Sequence, residues 1–158
     1  MAGIFLEPDL QDFLNAFNKS EVRYLIVGGT AVILHGYART TVDLDIWVEK
    51  SEENYLKICK AFQIFGMPIF DMTYENFFNN PSIDVFTFGR PPICIDLMLT
   101  VKGLDFEQAF NNSVKMEANG ILFSVVSKTD LITAKKSAGR HKDLDDAEQL
   151  SKGGKNAP

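Results

Sequence analysis

Three aspartates and a glycine pair are the residues of this 158-residue chain best placed, by type and spacing, to do chemistry. Asp43 and Asp45 stand two apart in DLDIWV, and Gly28-Gly29 close the apolar run YLIV that precedes them. On a strand, side chains two apart project from one face, with Cα atoms roughly 6.5–7 Å apart at about 3.3 Å per residue. Carboxylates so placed suit one or two hard cations, and Mg²⁺ prefers one or two carboxylates plus substrate phosphates. The glycine turn lets backbone N–H groups approach a phosphate, and a helix start behind it adds partial positive charge. A phosphate cradle beside a carboxylate pair reads as a site for a nucleoside triphosphate.

Asp96 is the third acid. It is the only charge in the apolar run ICIDLML. A buried carboxylate is costly unless it is paired, hydrogen-bonded or bound to metal. Taken alone, Asp96 fits a salt-bridged or edge position equally well; beside Asp43 and Asp45 it reads as a third metal ligand. A second feature is basic. Lys128, Lys135, Lys136, Arg140 and Lys142 fall within 128–142 against one acid, Asp130, up to residue 142. Any one of these is an ordinary solvated side chain, whereas the cluster could hold a polyphosphate or an RNA backbone.

The elements that must position these residues follow from periodicity. Pro8 opens a helix whose apolar face is Leu10, Phe13, Leu14 and Phe17, at i, i+3, i+4, i+7. Residues 24–27 form a buried strand, 30–34 a short helix finished near His35, and 43–48 an alternating strand. Ser51 caps a helix with the stripe Tyr55, Ile58, Cys59 and Phe62, stopped by Gly66; Cys59 is core there, not a nucleophile. A short helix over 73–78 precedes two strands, 83–88 and 93–99, joined by the loop Gly89-Arg90-Pro91-Pro92. A short helix over 105–110 follows. Asn119-Gly120 marks a hairpin between strands at 114–118 and 121–126. Ser127 to Asp130 resembles a capping box opening a helix over 129–138, ended by Gly139. A last helix spans about 141–150, with Leu144 and Ala147 expected inward.

Composition bounds the rest. Apolar residues make up 46 % and aromatics 11 %, with thirteen phenylalanines, which suits one globular domain over 1–158. Its core is expected at about 20–100, with the hairpin and C-terminal helices at about 113–150. The net charge of −5 does not advertise nucleic-acid binding. Cys59 and Cys94 are most simply thiols in a reducing compartment. The opening MAGIFLEPDL lacks a basic n-region and a full apolar h-region, and no apolar run approaches a membrane span, so a cytoplasmic chain without membrane contact is expected. Gly28-Gly29 is not G-x-G-x-x-G and no βαβ crossover follows, which excludes a Rossmann dinucleotide site.

Val27-Gly28-Gly29, a 13-residue interval, then Asp43-Leu44-Asp45-Ile46, with Asp96 on a later strand, resembles the signature of the DNA polymerase β-like nucleotidyltransferase superfamily. The likeness is greatest to small bacterial proteins of this fold, among them antibiotic nucleotidyltransferases and the nucleotidyltransferase toxins of toxin–antitoxin systems. The run Asp130-Leu131-Ile132, Lys135, then Gly139 to Leu144 with Asp146, looks like an ending found in the second group. The resemblance implies an α/β (α+β) fold, a nucleotidyltransferase-like mixed β-sheet with packed helices and C-terminal helices. It implies transfer of an NMP group from ATP or another NTP to an acceptor hydroxyl, with release of pyrophosphate. Asp43, Asp45 and Asp96 would be the catalytic metal ligands for Mg²⁺ or Mn²⁺. Gly28, Gly29, Thr30, Arg39 and Lys135 would bind the nucleotide. The acceptor stays open between a small molecule, a tRNA end and a protein side chain, and a homodimer sharing its site is compatible with so short a chain. The reading from another class is a non-catalytic nucleotide-binding or toxin–antitoxin interaction module of the same fold.

Overall fold

The computed structural model describes residues 7–37, 43–90 and 93–153. Among these, seven helices and six strands run in the order α1 (Pro8–Lys19), β1 (Tyr24–Val27), α2 (Gly28–Leu34), β2 (Asp43–Val48), α3 (Glu52–Phe65), α4 (Tyr74–Phe78), β3 (Val85–Arg90), β4 (Ile93–Met98), α5 (Phe106–Asn111), β5 (Val114–Ala118), β6 (Ile121–Val125), α6 (Lys128–Ala138) and α7 (His141–Gly153). The strands form one mixed sheet in the order β3-β4-β2-β1-β6-β5. The β2/β4 and β1/β6 pairs are parallel; the other neighbours are antiparallel. The fold is therefore α/β, a mixed sheet with packed helices, as the sequence predicts.

Local chemistry accounts for most boundaries. The Ser51 side chain accepts from Asn54 N and caps α3, and Gly66 ends it in the left-handed region at φ 88°. Thr73, Asp105 and Ser127 cap α4, α5 and α6 in the same way. Asn119 and Gly120, at φ 53° and 79°, form the two-residue turn between β5 and β6. Several boundaries shift from expectation by one to three residues, and two of these bear on the site. Helix α2 starts at Gly28, two residues early, because the turn formed by the glycines is already helical in its hydrogen bonding. Gly89 and Arg90, expected in the loop, belong instead to β3 and pair with Cys94 and Ile93; Pro91 and Pro92 of the expected loop lie outside the described residues.

The core lies on the sheet face carrying Leu44, Ile46, Ile95 and Leu97, all nearly without exposure. Helices α1 and α3 cover it through the aromatic contacts Phe13–Phe62, at 5.7 Å, and Phe62–Phe88, at 4.8 Å. Burying each such phenylalanine contributes about 1.5–3 kcal/mol. The alternation in β2 and β4 sends Asp43, Asp45 and Asp96 to the opposite face, the one bordered by α6 and α7. One expectation fails on α7. Leu144 is 46 % exposed, and the inward side is instead Asp143, Asp146, Ala147 and Leu150. The reason is electrostatic: the two aspartates turn inward to meet Lys135 of α6. Among the described residues no helix is long and apolar enough to cross a membrane.

Candidate functional site

Register assembles the site. In the parallel β2/β4 pair Asp45 lies directly opposite Asp96, and Asp43 opposite Cys94. In the antiparallel β1/β2 pair Asp45 lies opposite Val27, so the next residue, Gly28, folds over the Asp45 carboxylate. Gly28 takes φ +68°, and a Cβ built there would stand 2.1 Å from Asp45 Oδ2. Glycine is thus required twice at this position, for its backbone angle and for the space the carboxylate occupies.

The neighbouring acids act on Asp45. Burial first, then the charges of Asp96 and Asp43 and a carboxyl–carboxyl hydrogen bond with Asp96, push the Asp45 carboxyl up to about 6; Lys135 acts in the opposite direction. Thr87 of β3, opposite Asp96 in register, donates its hydroxyl to Asp96 Oδ1 at 2.8 Å. Cys94 lies beside the same acids, and burial followed by the charges of Asp43 and Asp96 raises its thiol pKa. Thr30 is fully buried and donates its hydroxyl to the Asp43 carbonyl at 3.1 Å, tying α2 to the start of β2. The His35 ring donates from Nε2 to the Val126 carbonyl at 2.8 Å, which fastens the end of α2 to the chain beyond β6.

Opposite this edge stands an ion network between α6 and α7. Lys135, only 8 % exposed, extends its Nζ to 3.1 Å from Asp146 Oδ2 and 3.4 Å from Asp143 Oδ1. Arg140 grips Asp143 with two bonds, from Nε to Oδ2 at 2.5 Å and from a terminal nitrogen to Oδ1 at 3.2 Å. Burial pushes the Asp143 carboxyl upward, but the Arg140 hydrogen bond and the charges of Lys135 and Arg140 outweigh it and hold its pKa below the usual range. Arg140 is itself held further up by Asp143 and, more weakly, by Asp45, so the network and the carboxylate edge are electrically connected. Between them lies a cavity of about 130 Å³, bounded by Gly28, Asp45, Lys135 and Arg140 and otherwise mostly apolar.

Of the residues the sequence singled out, Gly28, Asp45, Lys135 and Arg140 meet around this cavity. Asp96 adjoins Asp45, and Asp43 lies one pleat earlier on the same face. Gly29 and Thr30 sit behind Gly28, in the first turn of α2. Arg39 lies outside the described residues. Lys128, Lys136 and Lys142 do not line the cavity; of the basic cluster, Lys135 and Arg140 do. Thr87 was not singled out, although the hairpin alone could have found it, since pairing outward from Arg90 and Ile93 brings Thr87 opposite Asp96.

Residues 8–151 match the family described as nucleotidyltransferase of unknown function (DUF6036). The chain belongs to this family. A crystal structure of a candidate nucleotidyltransferase from Thermotoga maritima is similar in fold, with a TM-score of 0.53 at 18 % identity, over 93 % of this chain and 91 % of that one. No curated protein matches the sequence significantly. For a nucleotidyltransferase-family chain the donor set at this edge is chemically apt. It is all oxygen, and the burial of Asp45 beside the like charges of Asp96 and Asp43, which together raise its carboxyl, is what a hard cation would relieve. Among the described residues no three or more His, Cys, Asp or Glu side chains form a ready-made ion cage. Mg²⁺ does not demand one, since it usually keeps several waters and borrows ligands from substrate phosphates.

Proposed function

We propose that this chain is a metal-dependent nucleotidyltransferase that moves an NMP group from an NTP to an acceptor hydroxyl. The observation that carries the reading is the meeting of Gly28, Asp45 and Asp96 on one face of the sheet, with the Asp45 carboxyl raised to about 6 by burial and by its neighbouring acids. Asp43, Asp45 and Asp96 would hold Mg²⁺ or Mn²⁺. When bound, the cation would neutralise phosphate charge and orient the triphosphate.

The chain's own residues divide the remaining work. Gly28 and Gly29 offer backbone to the phosphates without a side chain in the way. Thr30 would contribute through its N–H, because its hydroxyl is engaged by the Asp43 carbonyl. Arg39 is a further candidate for the triphosphate. Lys135, held by Asp143 and Asp146, faces the same cavity and would oppose phosphate charge from the helix side. In the transfer the acceptor oxygen bonds to the α-phosphorus, the bond from that phosphorus to the bridging oxygen of pyrophosphate breaks, and the acceptor proton passes to a base. Asp96 is the residue assigned to that proton, with its other role in metal binding; the Thr87 hydroxyl fixes one of its oxygens.

The test is pyrophosphate release by the purified chain with each NTP, Mg²⁺ or Mn²⁺, and acceptors drawn from hydroxylated small molecules, tRNA and proteins, read alongside acceptor mass. A gain of one NMP on an acceptor, abolished by Asp45→Asn, is the expected result. Metal-dependent NTP binding with no pyrophosphate release from any acceptor would instead favour a nucleotide-binding module. Absence of metal-dependent NTP binding would end both readings.

A further inference from the structure

The sheet has two outer strands, and they are made differently. Strand β5 carries exposed charges at Lys115 and Glu117, a guard against pairing with another chain. Strand β3 carries none between its ends. Val85, Thr87 and Gly89 are exposed on one face, Phe86 and Phe88 are buried on the other, and neither proline nor lysine interrupts them. The ladder to β4 has no bulge, since residues pair one to one from Val85 to Arg90. Among the described residues β4 is the only strand beside β3, and no turn, loop or cap bond engages 85–90.

Hydrogen-bond parity identifies the backbone groups left over. In an antiparallel ladder alternate residues bond to the neighbouring strand, and those between them point away from it. The Leu99 N–H donates to the Asp84 carbonyl at 2.9 Å, so residues 84, 86, 88 and 90 face β4. The N–H and C=O groups of Val85, Thr87 and Gly89 therefore point to the open edge. Gly89, at φ 90°, twists the last of the three.

A second copy of this strand complements the first. Laid antiparallel about a two-fold axis at Thr87, the outward residues meet one another. Thr87 lies opposite the partner's Thr87, and Val85, 42 % exposed, opposite the partner's Gly89, which has no side chain. The same register sets Asp84 opposite the partner's Arg90 at both ends of the strand. A shift of one residue would match outward groups with inward ones, and a shift of two would separate both charge pairs.

We propose that the chain is a homodimer joined β3 to β3, so that two six-stranded sheets become one. Thr87, whose hydroxyl holds Asp96, then lies on the dyad. Asp96 and the partner's Asp96 stand three strand spacings apart, about 14 Å at about 4.8 Å each, on one continuous face. This pairing does not depend on the chemistry proposed above.

The experiment is sedimentation equilibrium of the full chain over a wide concentration range, with amide exchange in β3 followed by NMR. The wild type should associate to a dimer. Exchange at Val85 and Thr87 should slow as concentration rises, while Phe86 and Phe88, bonded to β4, stay protected throughout. Asp84→Arg or Arg90→Asp alone sets like charges opposite each other at both ends and should weaken the dimer about tenfold. The two together restore the pairs and should recover it. Val85→Pro removes only an outward donor and should give a monomer, with slow exchange at Phe86 and Phe88 verifying its fold. A wild type that stays monomeric would overturn the inference. So would a dimer indifferent to Val85→Pro and to the charge reversals, which would form elsewhere, or a double reversal that recovers nothing. Edge amides that slow only when an acceptor polypeptide is added would overturn it too, and give the edge to the acceptor.

Discussion

Replacing Gly28 with alanine tests the site's central contact against an internal control. The substitution has two separable costs. The first is backbone: Gly28 sits at φ +68°, where an L-residue loses about 1–2 kcal/mol. The second is contact: the new Cβ would lie 2.1 Å from Asp45 Oδ2 and 2.9 Å from its Cγ, distances that real atoms do not keep, and a tight 3.0 Å from its Cβ. The carboxylate must rotate away or β1 and β2 must part, and overpacking of this kind costs about 1–3 kcal/mol more. Gly66 supplies the control, because it takes φ +88° with nothing within 4 Å of an added Cβ. Gly66→Ala should therefore lose about 1–2 kcal/mol in urea unfolding and Gly28→Ala about 2–5 kcal/mol. Only Gly28→Ala should weaken Mg²⁺-NTP binding. Combining Gly28→Ala with Asp45→Ala removes the two shortest contacts and should restore most of the excess, leaving only the 3.0 Å approach to Cβ. Equal losses for Gly28→Ala and Gly66→Ala, or no coupling in the double variant, would refute the account of Gly28 as a residue chosen for Asp45.

Asp96→Asn keeps shape and the Thr87 contact but removes charge, so it should still bind Mg²⁺-NTP while single-turnover pyrophosphate release falls about 10²–10⁴-fold; wild-type turnover would take Asp96 out of the reaction. The Asp45 carboxyl, raised to about 6, stays protonated in the folded chain at pH values where the unfolded chain has lost the proton. Its contribution to stability is thus greatest below pH 4 and falls as pH rises through 6; metal-free urea curves should show that slope, and Asp45→Asn should flatten it. Mg²⁺ affinity should rise over the same interval, because the cation needs the carboxylate. Lys135→Ala strips a cation from two buried carboxylates and should destabilise towards the lower end of about 3–5 kcal/mol, Arg140 still reaching Asp143, while Lys128→Ala should change thermal unfolding little.

The carboxylate edge was legible in the sequence because strand periodicity and turn chemistry are local rules. DLDIWV can alternate in only one way, and a glycine pair after YLIV can only be a turn, so Asp43, Asp45 and Gly28 follow directly. Asp96 was legible by contrast, as one charge in an apolar strand. What the sequence hides is compensated charge. Reading α7 by hydrophobicity turns Leu144 inward, whereas the inner face is 143, 146, 147 and 150, whose first two members are acids. Their spacing of three and four is as helical as any apolar stripe. Only the buried Lys135 across the interface makes it the inner one, and that partner belongs to another helix. The ion pairs of Lys135 are hidden for the same reason: a lysine on a predicted amphipathic helix carries no mark of the aspartates that hold it.

That hidden network changes how the carboxylate edge must be understood. Lys135 is shared among three acids: it pairs with Asp143 and Asp146 and draws the Asp45 carboxyl down against burial and its neighbours. A lysine free of Asp143 and Asp146 would neutralise Asp45 more fully and reduce the need for a cation there. Held as it is, it leaves Asp45 raised to about 6, with charge still uncompensated at the edge where Gly28 opens the backbone. The aspartates of α7 therefore act on the site at one remove. They fix the long lysine side chain in a single direction, which lowers the entropy lost when a ligand arrives. They also divert part of its charge from the carboxylates, which on the proposed reading would leave the site suited to a hard cation and the phosphates that come with it.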